Sequence, residues 1–124
     1  MTPVFTLDAD PDAISSDVAR FGDTIVTTQI PTRADGSLEL GDITAQSEET
    51  LRALKAALEA AGSAMDRVLH LTIYLTDMAE RAAFNAVYTR YFAKPYPVRC
   101  AVGVKELAVP GMKVEVTAQA APKI

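Results

Sequence analysis

The segment from Val68 to Leu75 constrains the fold most, because its apolar residues alternate without a break. Leu69, Leu71, Ile73 and Leu75 point one way, and His70, Thr72 and Tyr74 the other. Period-two alternation describes a strand with one face in a core and one outside it, so the chain must build a sheet. Amphipathic helices stand on both sides of this strand. In the first, which begins at the N-cap Asp42 and runs to Ala61, Leu51, Leu54, Leu58 and Ala61 recur at spacings of three and four; Gly62 stands past its end. The second is expected to start at Asp77, with Glu80 three residues on as a capping-box partner. Its apolar stripe is Phe84, Val87, Tyr88, Tyr91 and Phe92, and Pro95 and Pro97 stop it.

The remaining strands are shorter. Val4 to Leu7 is one; Val18 to Phe21 is another, turning at Gly22-Asp23 into the β-branched run Thr24 to Thr28. Pro31 to Gly41 reads as a surface loop. The last two strands, Val98 to Leu107 and Met112 to Ala120, are expected to form a hairpin through Pro110-Gly111. The order β-β-β-α-β-α-β-β predicts one α+β domain over residues 1–124, a single mixed sheet with two helices on one face. The opposite face, carrying His70, Thr72 and Tyr74, is then a candidate subunit interface.

Composition narrows the function classes. Apolar residues make up 49 % of the 124 and charged residues 23 %, a balance that supports a packed core without a metal or disulfide staple. The net charge of −4, with no run of Lys and Arg, argues against a nucleic-acid-binding face. No window reaches the roughly 18 apolar residues of a membrane span, and the N-terminus lacks the basic and apolar regions of a signal peptide, so a cytoplasmic protein with no membrane partner is expected. Cys100 and His70 are each the sole residue of their type, which leaves no thiolate or multi-histidine metal site. Phosphate loops, dinucleotide fingerprints and nucleophile elbows are also missing.

What remains is charge carried on strands. In Val98-Arg99-Cys100-Ala101-Val102-Gly103-Val104 the even-numbered residues form an apolar face, which predicts a buried Cys100 and sets Arg99 beside Ala101 and Gly103 on the other side. A guanidinium over such a small-residue strip can bind a carboxylate with two parallel hydrogen bonds. Glu115 is the charge on the polar face of the last strand. With the expected hairpin register the two lie on the order of 20–26 Å apart at roughly 3.3 Å per residue, so a shared site must be built across subunits. Asn85, a poor helix former among apolar residues, is open to a site role or a packing role.

Most of the chain resembles the RidA family, also called YjgF, the reactive-intermediate deaminases. The resembling residues are Gln29-Ile30-Pro31, the helix Thr50 to Gly62, Phe84-Asn85-Ala86-Val87-Tyr88, Tyr91-Phe92, Pro97-Val98-Arg99 and Val114-Glu115-Val116. The resemblance implies a chorismate-mutase-like fold and a homotrimer whose sheets pack into a central barrel, with ligand clefts between subunits. It implies Arg99 as the anchor of a substrate carboxylate and Glu115 as the residue that orients water, with Asn85, Ala101 and Thr28 lining the cleft. The implied reaction hydrolyses enamines or imines such as 2-aminoacrylate to a 2-keto acid and ammonia, without a cofactor. Departures from the family pattern are Ser15-Ser16-Asp17-Val18 in place of Gly-Pro-Tyr-Ser, Thr27-Thr28 in place of Ser-Gly, and Ala101 in place of a cysteine. These leave a second reading, a trimer that binds small carboxylates without turnover. The ribonuclease or translation-inhibitor activity attributed to some relatives is disfavoured by the acidic charge.

Overall fold

A computed structural model describes all residues, 1–124. Six strands form one sheet: β1 (Val4–Leu7), β2 (Ser16–Phe21), β3 (Thr24–Gln29), β4 (Val68–Leu75), β5 (Val98–Gly103) and β6 (Val114–Ala120). They lie in the order β1-β2-β3-β6-β4-β5. Helices α1 (Ile43–Ala60) and α2 (Arg81–Tyr91) pack on one face. The α+β class and the one-sided helix layer are as the residue pattern requires.

Local chemistry sets the boundaries. The Asp42 carboxylate accepts from the Ala45 amide at 2.8 Å and caps α1, while Gly62 takes the positive φ of 83° that turns the chain after it. Asp77 caps a single 3-10 turn over Met78–Glu80, so α2 proper begins four residues later than the sequence suggests. The core joins Leu51, Leu54 and Leu58 of α1 and Phe84 and Val87 of α2 to Leu71, Ile73 and Leu75 of β4 and Val114 and Val116 of β6, all buried.

Three expectations are corrected. The final strands form no hairpin: β4 lies between β5 and β6, pairing parallel with β5 and antiparallel with β6. The β4-α2-β5 segment is therefore a crossover unit, and residues 104–113 span from one side of β4 to the other. Secondly, Leu69 is exposed and Val68 buried, because the β4–β6 register slips between Val68 and His70 and turns one residue outward. Thirdly, the faces of β5 are the reverse of those its apolar pattern suggests. Arg99 aligns with Leu71 and Ala101 with Ile73, so the odd-numbered residues face the helices, while Val98, Cys100 and Val102 lie on the open face. Cys100 is accordingly exposed.

Candidate functional site

Arg99 stands on edge strand β5, half-buried beneath α2. Its Nη2 donates to Asn85 Oδ1 at 2.6 Å, and its guanidinium carbon lies 4.5 Å from the centre of the Tyr88 ring. Asn85 and Tyr88 are three residues apart on α2 and so share the face that looks onto β5. None of the five ion pairs in the chain includes Arg99. A planar cation held by neutral partners alone keeps its charge for a ligand, and a carboxylate is the group that its fork fits best.

Glu115 lies elsewhere. On β6, Val114, Val116 and Ala118 are buried under the helices, and Glu115 and Thr117 are on the open face. Glu115 sits opposite Tyr74, with no cation in an ion pair with it. Burial pushes its carboxyl above the usual carboxylate range. Thr28 shares this face, its hydroxyl 2.9 Å from that of Thr117. Register continues the row from Thr117 to Thr72 and on to Cys100, whose Sγ is 3.9 Å from Thr72 Oγ1.

The five candidate residues thus divide between the two sides of the sheet. Arg99, Asn85 and Ala101 gather on the helix side at the β5 edge; Glu115 and Thr28 lie on the uncovered side. Arg99 and Glu115 are two strands and three residues apart, on the order of 14 Å between backbones at roughly 4.8 Å per strand and 3.3 Å per residue. No side-chain motion joins them within one chain. Surface hollows of about 440 Å³ along Leu7 to Ser16 and about 610 Å³ beside Thr76 and Lys105 to Lys113 exist, but Arg99 lines neither.

The family profile described as Endoribonuclease L-PSP matches residues 10–122. The chain belongs to the RidA/YjgF family. Protein HMF1 of Saccharomyces cerevisiae is 34 % identical over 125 residues, covering 99 % of this chain and 96 % of that protein. Among solved structures, yeast Mmf1 superposes with a TM-score of 0.87 at 25 % identity, covering 98 % of this chain and all of that one. RidA from an Antarctic Psychrobacter gives 0.83 at 29 % identity, covering 94 % and 93 %.

Within this RidA/YjgF chain the departures near the N-terminus have a structural use. Asp17 Oδ1 accepts from Gln29 Nε2 at 2.8 Å, and Thr27 Oγ1 donates to the Asp17 carbonyl at 2.7 Å, tying β2 to the end of β3. The residue that sequence reasoning missed is Tyr88. It counts there as part of the α2 stripe and of the resembling segment Phe84 to Tyr88, with no site role, although its spacing from Asn85 is the signal that both face one strand.

Proposed function

We propose that the protein hydrolyses a small enamine or imine of the 2-aminoacrylate class to a 2-keto acid and ammonia, in clefts completed between copies of the chain in a homotrimer. The observation that carries this reading is Arg99, half-buried, pinned by Asn85 and paired with no carboxylate.

The chemistry makes modest demands. 2-Aminoacrylate tautomerises by protonation at its methylene carbon to 2-iminopropanoate, whose C2 is already electrophilic. Water adds to C2 and one of its protons moves to nitrogen; the remaining hydroxyl proton then passes to nitrogen as the C–N bond of the carbinolamine breaks, releasing ammonia and leaving the ketone of pyruvate. A carboxylate anchor fixes the substrate, and a base beside C2 orients the water and carries the proton. Glu115 suits the second task, since a carboxyl raised by burial without a counter-ion is a stronger base than an exposed one. Its placement on the open face, away from Arg99, is the reason for assigning the cleft to two chains: an edge strand from one copy meets the open face of the next. That face carries exposed Phe5, Phe21, Val26, Val98 and Val102, apolar surface which a neighbouring chain would cover.

Generating 2-aminoacrylate in situ and following keto-acid release tests the reading. Arg99→Ala is expected to lower kcat/KM by 100-fold or more, on the order of 3 kcal/mol of binding lost with a charged bidentate contact. Equal rates for the wild type and Arg99→Ala count against the proposal. Saturable pyruvate binding with no turnover would favour the carboxylate-binding alternative.

A further inference from the structure

We propose that Tyr88 is a positioning residue for carboxylate capture, its ring face fixing the plane of the Arg99 guanidinium so that the free edge of the fork points out of the β5 edge. This deepens the reading above and rests on Arg99 being the anchor.

Arg99 has one hydrogen-bonded side-chain partner, the 2.6 Å contact to Asn85, and a single contact leaves the guanidinium free to swing about it. The Tyr88 ring, 4.5 Å from the guanidinium carbon, removes that freedom. The ring itself cannot drift. Tyr88 is buried at 4 % exposure and stacks on Phe92 with ring centres 4.6 Å apart and planes inclined by 23°, while Phe84 flanks it at 6.2 Å and Tyr96 at 5.8 Å. This aromatic column, built at four-residue spacing along α2 and beyond it, gives the cation a rigid floor.

The choice of a neutral floor matters chemically. The Tyr88 hydroxyl is buried without a well-aligned hydrogen bond, and burial pushes it above the ordinary tyrosine range although the charge and the nearby donors of Arg99 oppose the shift. It stays uncharged at neutral pH. Tyr88 and Asn85 therefore orient Arg99 without neutralising it, whereas a carboxylate in either place would compete with the ligand. The ring face, not the hydroxyl, carries the function, so Tyr88→Phe is the conservative substitution.

Two readouts test this on the full chain. In the wild type, the Arg99 Hε proton should be shifted upfield by the ring current, and Tyr88→Phe should retain that shift. Pyruvate, the keto acid that 2-aminoacrylate yields, is the binding probe. Tyr88→Phe should bind it within about threefold of wild type, and Tyr88→Leu or the flexible Tyr88→Met should weaken it about tenfold, roughly the value of a partly desolvated cation–π contact. An unshifted Hε in the wild type, which needs no variant to fold, overturns the proposal. So does undiminished binding by a folded Leu or Met variant that has lost the shift. If Arg99→Ala itself binds pyruvate like the wild type, the carboxylate-anchor reading fails instead.

Discussion

Two charged side chains carry the account, and each is held in a state that costs the fold something. Arg99 forgoes an ion pair and rests on an amide and a ring. Glu115 is partly desolvated with no cation to compensate, which raises its carboxyl. The linkage consequence has a definite sign: a carboxyl whose folded pKa lies above the unfolded value makes the native state bind protons more tightly, so its charged form destabilises the fold at higher pH. Glu115→Gln should therefore raise the thermal midpoint at pH 7 while removing turnover. The gain should shrink as pH falls through the folded value and vanish below the unfolded carboxylate value of about 4.3. Matched melting curves at pH 7 and pH 4 check this; a lower midpoint for Glu115→Gln at pH 7 contradicts it.

At the scale of elements, residues with one strong periodicity were legible and residues whose partners lie far off in sequence were not. The Leu51, Leu54 and Leu58 stripe and the alternation of β4 located α1 and β4 because local spacing alone decides which face is buried. The hairpin expectation failed because Pro110-Gly111 is a true turn signal: Gly111 has φ of 88°, but inside an irregular connection rather than between paired strands. What marks the correct topology is the helix between β4 and β5, which favours a parallel crossover. The faces of β5 were inverted for a separate reason: Val98, Cys100 and Val102 are apolar on the surface this chain leaves open. Arg99 and Glu115 were legible as charges on strands; their placement on opposite faces was not.

The end of the connection over residues 104–113 is tied to α1 by a buried amide. Gln46 of α1 donates to the carbonyls of Gly41 at 2.9 Å and Gly111 at 3.0 Å, and accepts from the Lys113 amide at 2.7 Å. Gln46→Leu fills the space but leaves those buried groups unpaired, and should cost on the order of 3 kcal/mol in urea unfolding at fixed protein concentration. A loss under about 1 kcal/mol would show that the connection holds without it.

At the scale of the whole molecule, the proposed site is divided between the two sides of the sheet. The helix side offers the anchor at an edge strand, and the open side offers the base in a field of exposed apolar residues. In the proposed homotrimer, burying that field between copies would supply both the cover and the other half of each site, and would deepen the desolvation of Glu115 that raises its carboxyl. The most direct test is complementation. Arg99→Ala and Glu115→Gln chains, each inactive alone, are denatured together in equal amounts, refolded, and assayed for keto-acid release from 2-aminoacrylate. Sites shared between neighbours should return about a quarter of wild-type activity, since random assembly of a cyclic oligomer puts an intact Arg99 beside an intact Glu115 at about one site in four. Mixed oligomers as inactive as either parent would place both residues' work within one chain and contradict the account.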